Sequence, residues 1–497
     1  MSALLAFRGL RPAWVGFTAI AAVTLLSLFL LYSPRLQTST STTTVPDPVN
    51  HIIADSTFGE ARQDDVGAMA RAINETSQYF IDYPLQPPFK EHFGELGHRS
   101  RVLRDWIALA DQTRDPTIKA QISDAIERTA ISLYPFLEKP KETPVVKGNV
   151  ADLRASFEKG SAAVVIPTSD KTLRFAAHLV GTLRSVHNST LPIQVVYAGD
   201  DDLAPDNRLR LAGIVESGPP LEFLDIMTVF NDTTLQLQSG GWAIKAFAAL
   251  GSRFEKVILA DADAVFFQPP EVLLEHEAFV RTGALLFHDR LLWKDVFPVR
   301  NEWFESQIRH PGPELKKSLV WTERYAEEGD SGLVVLDKSR LDILVGLFHI
   351  CWQNSYAVRE ETTYKITYGD KETWWFGLEL TGASYEFSKH YGGIVGWKKV
   401  DKEKEKVCSF VIAHVDAQDR LLWYNGGLLK NKGNKNMQDV YDVPTHWMVD
   451  AEWEKGAKQD FSCMKGGKVR ALSEREIAVI EQSIDLAKGL DKVILVP

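Results

Sequence analysis

The sequence predicts a layered α/β domain on a largely parallel central sheet, and three observations carry that expectation. Beyond Val150, short apolar runs alternate with helical patterns, the rhythm of strand, helix and strand in a layered fold. Two carboxylates, Asp261 and Asp263, emerge from Val257-Ile-Leu-Ala260, a run apolar enough to be a buried strand. No dinucleotide glycine fingerprint, phosphate-loop lysine motif or zinc-protease helix accompanies them, which removes the common alternatives for a strand-end site.

From the amino terminus, residues 1–12 read as a cytosolic tail and 13–32 as a transmembrane signal anchor. Ala13 to Tyr32 carries no charge, and as a helix it would span about 30 Å, the thickness of a bilayer's hydrocarbon core. Arg8 and Arg11 precede this span and only Arg35 follows closely, so the body is expected on the luminal side. A cleaved signal peptide is the rival reading, but its apolar region is shorter and ends in a small-residue pattern not found before Pro34. Residues 33–59, with Thr38-Ser-Thr-Ser-Thr-Thr-Thr44, Pro46 and Pro48, have nothing to bury and read as a luminal stem. Three acceptor sequons, beginning at Asn74, Asn188 and Asn231, agree with a luminal body.

Residues 60–145 are expected to form a helical accessory region, with Val102, Trp106, Leu109, Ile118, Ile122 and Ile126 at helical spacings and Lys139 to Pro144 breaking the pattern. Residues 150–430 are expected to form the α/β domain that holds the site, and 431–497 a carboxyl-terminal extension. Within the domain, Ala162 to Ile166 and Ile193 to Tyr197 read as the first two strands, and a helix near Trp242 to Leu250 leads into the aspartate-bearing strand. Ligands of open α/β sheets bind outside the carboxyl ends of strands, where Asp170, Asp261 and Asp263 fall.

The formal net charge of −10 excludes a basic nucleic-acid surface. The three cysteines, Cys351, Cys408 and Cys463, have neither zinc-ligand nor redox-motif spacing. One bridge, such as Cys408 to Cys463, is allowed in an oxidising lumen but not fixed by sequence, and Cys351 reads as a core thiol.

Side chains at i and i+2 of an extended segment project to the same side, so Asp261 and Asp263 can share one hard divalent cation. An isolated Asp-x-Asp is equally an acidic turn closing a strand, so its neighbours decide. Those neighbours are Gly241-Trp-Ala-Ile-Lys245, Phe287-His-Asp-Arg290, the run Asp330 to Ser339, Tyr368-Gly-Asp-Lys-Glu-Thr-Trp374, and His414 to Gly427 with its Trp-Tyr-Asn-Gly-Gly end. Read in order, they resemble the fungal Golgi α-mannosyltransferases of glycosyltransferase family 71 over roughly Ala162 to Gly427.

That resemblance implies a GT-A type fold, Mn2+, a GDP-mannose donor, a mannose-terminated glycan acceptor and retention of anomeric configuration. It implies metal ligation by Asp261, Asp263 and His414. It implies donor contacts at Thr168, Lys245, Asp261, Asp289, Arg290, Lys371 and Gly426, with Asp289 and Arg290 alternatively pairing with each other. Asp370, with Glu372 as companion, is implied near the reacting sugar, although a carboxylate at a helix start is also an ordinary cap. Trp374, Trp375, Trp397, Trp423 and Tyr424 offer faces to sugars, or form core. The implied product is an α-1,3 linkage, with α-1,2 as the alternative. A metal-dependent phosphodiesterase and a membrane-tethered lectin are rivals from other classes.

Overall fold

The computed structural model describes residues 59–138, 149–215, 217–401, 404–457 and 459–495. Residues 63–497 form one compact unit. Among the described residues no helix is long and apolar enough to cross a membrane. The expected tail, the anchor over 13–32 and the stem up to residue 58 lie outside the described residues.

The helices that position the site are α1 (Gly59–Asp82), α2 (Phe93–Gln112), α3 (Pro116–Leu133), α4 (Leu173–Gly181), α5 (Ile244–Gly251), α6 (Leu341–Gln353), α7 (Thr373–Thr381) and α8 (Glu474–Ile494). The accessory helices α1 to α3 share one apolar core with α6 and α7 rather than standing apart. Phe93 shows why: its ring meets Trp352 at 4.9 Å and Phe376 at 5.8 Å. Aromatic contacts of this size bind the helical region to the catalytic layer.

The central sheet uses β1 (Glu158–Pro167), β2 (Ile193–Tyr197), β3 (Leu221–Asp225), β4 (Phe254–Ala260), β6 (Ala284–His288), β7 (Gly329–Asp337) and β8 (Glu386–Phe387), in the order β3-β2-β1-β4-β7-β6-β8. The β3 to β4 half is parallel, as expected from the alternation of strands and helices. β7 runs antiparallel to both β4 and β6, which the sequence reading did not foresee. This reversal sets the amino-terminal end of β7 beside the carboxyl end of β4: Ala260 pairs with Leu333, and Asp261 N–H donates to Gly332 O at 2.9 Å.

β5 (Ala264–Phe266) leaves that sheet and joins β11 (Ile412–Val415) and β12 (Leu421–Asn425) in a three-stranded sheet. Asn425 lies opposite Ala264, and His414 opposite Trp423. The carboxyl-terminal motif is thereby laid against the aspartate turn.

A boundary at residue 430 is not what the structure has. Strands β9 (Ile394–Asp401) and β10 (Lys404–Ser409) share one six-stranded sheet with four strands drawn from His446–Ala471, and the Cys408–Cys463 disulfide joins the two stretches. α8 packs back on α4, where Asp491 accepts from Arg174 Nε at 3.0 Å and meets His178 Nε2 at 2.8 Å. The recognisable motifs end near residue 430, but strand pairing across that point is non-local and leaves no local signal.

Candidate active site

The aspartate turn sits where β4 ends. Gly426 and Gly427 donate their N–H groups to Asp263 O at 3.2 and 2.7 Å, fixing the turn against the end of β12. Both glycines have positive φ, a conformation that other residues adopt at a cost. Gly426 thus acts through its backbone on Asp263.

Behind the turn lies a buried charge bridge. Lys245 Nζ is 2.9 Å from Asp261 Oδ1 and 3.2 Å from Asp370 Oδ2, and it donates to Ser331 O at 2.6 Å and Ser331 Oγ at 2.9 Å. Burial works to lower the lysine's pKa, but Asp261 and Asp370 together hold it above the ordinary value. Lys245 was expected on a donor phosphate. With every ammonium hydrogen engaged internally, it instead ties Asp261, at the end of β4, to the Gly-Asp-Lys-Glu turn. Burial raises Asp261 against the pull of that lysine, with Asp370 adding to the rise.

Asp370 is fixed from three sides, for Ser331 Oγ donates to its Oδ1 at 3.1 Å and Trp374 Nε1 to its Oδ2 at 2.9 Å, beside Lys245. Its companion Glu372 points elsewhere. Oε1 accepts from the Glu328 and Gly329 N–H groups at 3.0 and 3.3 Å, and Oε2 from Trp375 Nε1 at 2.7 Å. Burial pushes this carboxyl up to about 8. Glu372 therefore braces the start of β7 and is not brought together with Asp370, because the helical turn between them sends the two side chains to opposite partners.

Trp374, Trp375, Trp423 and Tyr424 are buried, so their faces are not offered to sugars. Two of these indoles have a different role, holding the two carboxylates by their N–H groups. Trp397, partly buried, stacks on Phe461 at 5.5 Å.

His414 is buried with its Nε2 3.0 Å from Asp330 Oδ2 and its ring stacked on Trp423 at 4.4 Å. Asp330 also accepts from Gly332 N–H at 2.9 Å and Asn425 Nδ2 at 3.0 Å. Although burial works to raise it, the hydrogen bond and charge of His414 hold Asp330 well below the usual carboxylate range. Among the described residues no three His, Cys, Asp or Glu side chains converge closely enough to hold a metal ion. Asp261, Asp263 and His414 are thus not gathered into one ligand set.

Lys432, in the segment read as extension, contacts the Asp263 carboxylate. Burial lowers this lysine to about 8, against the charge of Asp261. A cation thus already sits on Asp263 within reach of the Asp261 charge, and two carboxylates are a donor set suited to a hard divalent ion.

Asp289 and Arg290 adopt the mutual pairing, Arg290 N–H donating to Asp289 Oδ1 at 2.6 Å and Nε approaching it at 3.3 Å. Lys371 caps the other carboxylate oxygen, and with burial opposing, Asp289 and Asp330 hold Lys371 above its ordinary value. Thr168, at the carboxyl end of β1, donates its hydroxyl to Ile166 O at 3.2 Å and its N–H to Val196 O at 2.9 Å. The residues to which the sequence reading gave no side-chain role are Asp330, Ser331, Asn425 and Lys432. The first three sit in motifs noticed for their resemblance, but only the reversal of β7 brings Ser331 to Asp370 and Asp330 near Asp261.

A family model described as "Mannosyltransferase putative" matches residues 161–416, just over half of the chain. The chain belongs to this mannosyltransferase family. The match spans the whole bridge from β1 to His414. Two curated relatives are alpha-1,3-mannosyltransferases of Saccharomyces cerevisiae. MNT2 is 27% identical over 312 residues, covering 56% of this chain and 53% of its own. MNT3 is 29% identical over 284 residues, covering 50% and 44%. The chain spans about half the length of the curated relatives it matches. Among solved structures, the mannosyltransferase Ktr4p from S. cerevisiae in complex with GDP aligns over 64% of this chain and 84% of its own, at 9% identity and a TM-score of 0.31.

Proposed function

We propose that this protein is a retaining α-1,3-mannosyltransferase with a GT-A type catalytic domain, moving mannose from GDP-mannose to a mannose-terminated glycan. The observation that carries the reading is the Lys245 bridge. It holds Asp370 rigidly beside the Asp261–Asp263 turn, within a chain of the mannosyltransferase family.

Asp261 and Asp263 would hold Mn2+, which when bound neutralises the diphosphate and acts as a Lewis acid on the leaving oxygen. The chain's own residues do the rest. Asp370, set by Trp374, Ser331 and Lys245 before any charge develops, faces the positive charge that grows on the sugar as its bond to phosphate breaks. GDP leaves with the bonding electrons, the acceptor oxygen bonds to the anomeric carbon on the same face, and its proton passes to the departing phosphate oxygen. Lys371, anchored on Asp289, adds positive charge to the donor side. The α-1,3 linkage is favoured over α-1,2 because the yeast relatives MNT2 and MNT3 are alpha-1,3-mannosyltransferases. A lectin would have no use for a buried lysine joining two carboxylates, whose desolvation is costly unless the arrangement serves chemistry.

The uncharged segment Ala13 to Tyr32 supports a single-pass anchor with the catalytic domain in the Golgi lumen. To test the reading, the purified protein is incubated with Mn2+, a panel of nucleotide sugars and α-mannobiose, and the product linkage is determined by NMR. Transfer from GDP-mannose alone to a 3-hydroxyl is expected, and Asp263→Asn abolishes it while the protein stays folded. Full activity in that variant, or no transfer by the wild type, rejects the assignment.

A further inference from the structure

The two segments that supply the Lys245–Asp370 pair also carry two exposed aromatic rings. Trp242 lies three residues before Lys245, and Tyr368 two before Asp370. Trp242 is 50% exposed and Tyr368 60% exposed, whereas the tryptophans of α7 are buried. Their ring centroids lie 5.5 Å apart at an interplanar angle of 43°. Single exposed apolar side chains are ordinary, but two large rings left open side by side form a contiguous patch, which is a candidate binding surface.

Gly369 makes the arrangement possible. Its φ is +64°, and a Cβ there would meet the Trp242 ring at 2.6 Å. The indole thus lies directly against the backbone of the residue before Asp370. The support beneath is rigid: Tyr364 meets Trp242 at 6.5 Å, its hydroxyl donates to Asn354 Oδ1 at 2.9 Å, and Asn354 Nδ2 donates to Thr373 Oγ1 at 3.1 Å. Thr373 Oγ1 in turn donates to Asp370 O at 2.6 Å. The ring rests on Tyr364 and Gly369, and Tyr364 is joined by hydrogen bonds through Asn354 and Thr373 to the Asp370 backbone, so a sugar on the ring would be held in register with Asp370.

We propose that Trp242 and Tyr368 form the acceptor subsite, a stacking platform for a hexose ring of the glycan whose hydroxyl is to be glycosylated at Asp370. The proposal rests on the mannosyl-transfer reading given above. The apolar C–H face of a pyranose complements the negative face of an aromatic ring, and the exposed hydroxyls of the same sugar remain in water. A platform needs no buried polar partners, which suits an acceptor that must be released after each turnover. The donor diphosphate, by contrast, is matched to the charged turn at Asp261 and Asp263.

The test uses the full chain in detergent with Mn2+, saturating GDP-mannose and varied α-mannobiose. Trp242→Ala and Tyr368→Ala are each expected to raise the acceptor KM about tenfold or more, with the affinity for GDP in the presence of Mn2+ changed less than twofold. Trp242→Phe, which keeps a ring, is expected to stay within about threefold of wild type, and it and Tyr368→Ala carry the test if Trp242→Ala does not fold. An unchanged acceptor KM in the alanine variants overturns the platform while leaving mannosyl transfer standing. A fall in kcat and GDP affinity at constant acceptor KM overturns it too, assigning the rings to scaffolding. Absence of transfer by the wild-type protein overturns both readings.

Discussion

The Lys245 ammonium lies 2.9 Å from Asp261 Oδ1, and the same nitrogen reaches Asp370 at 3.2 Å. One buried cation therefore neutralises two carboxylates from distant parts of the chain. Lys245→Met removes it while keeping most of the side-chain volume. Breaking a buried ion pair from one side costs about 3–5 kcal/mol, and the low end is expected because Asp261 is partly exposed. Urea denaturation should show this loss, smaller at pH 5 than at pH 8. The stranded carboxylates take up protons in the folded state as pH falls, which relieves them.

Asp330 and His414 make a second buried pair, 3.0 Å apart. The depressed Asp330 pKa means that the folded protein holds this carboxylate ionised more readily than the unfolded chain does. Its contribution is present above the ordinary carboxylate pKa of about 4 and is lost as pH falls below it. Asp330→Asn should cost about 3 kcal/mol near neutral pH, with the deficit shrinking below pH 4. Because Asp330 also fixes the tautomer of His414, the ring resonances of His414 should shift in NMR spectra of the variant.

Glu372 has the opposite sign. Its folded value of about 8 lies above the ordinary 4.5, so the native protein keeps a proton that the unfolded chain releases. That stabilisation is complete below pH 4.5 and is lost as pH climbs to about 8. Relative to wild type, Glu372→Gln should flatten the fall in denaturation free energy across this window. At pH 8 it should still be the weaker protein by about 1–3 kcal/mol, since the amide NH2 faces N–H donors where the carboxylate accepted them. Parallel slopes in the two proteins between pH 5 and 8 would show that Glu372 does not hold the proton.

How much of this was legible in the sequence depends on how local each signal was. The aspartate turn, the early parallel strands and the first helices follow from periodicity and composition, which act over a few residues. Core status for Cys351 was equally readable, and the structure buries it. The Lys245 bridge was not, because a helix lysine reads the same whether its head is solvated or meets Asp370 across a reversed strand. Lys432 was hidden for a similar reason: it follows the recognisable motif, and only the turn after β12 carries it back to Asp263. The tryptophans of α7 were read for their faces, while the structure uses their N–H groups.

The Cys408–Cys463 bridge gives a prediction that separates stability from chemistry. It closes a loop of 55 residues between β10 and the later strand paired with it. Constraining the unfolded chain over that length contributes about 4 kcal/mol in the chain-entropy model. Cys408→Ser with Cys463→Ser should therefore lower Tm by several degrees. Mannosyl transfer measured well below the new Tm should be unchanged, as neither cysteine touches the carboxylate bridge.

Lys432 sits on the Asp263 carboxylate and within electrostatic reach of Asp261, the two groups proposed above to hold Mn2+. An ammonium and a divalent ion on one carboxylate repel each other, so on the proposed reading Mn2+ would compete with Lys432 for Asp263. Removing the competitor with Lys432→Met should lower the half-saturating Mn2+ concentration about three- to tenfold, a change of about 1 kcal/mol at the effective dielectric of a partly open site. Calorimetric titration of Mn2+ in the absence of nucleotide reads this directly. If the displaced ammonium then settles on the donor diphosphate, the same variant should show weaker GDP-mannose binding despite its tighter metal. An unchanged Mn2+ affinity would mean that the Lys432–Asp263 contact is no barrier to the ion.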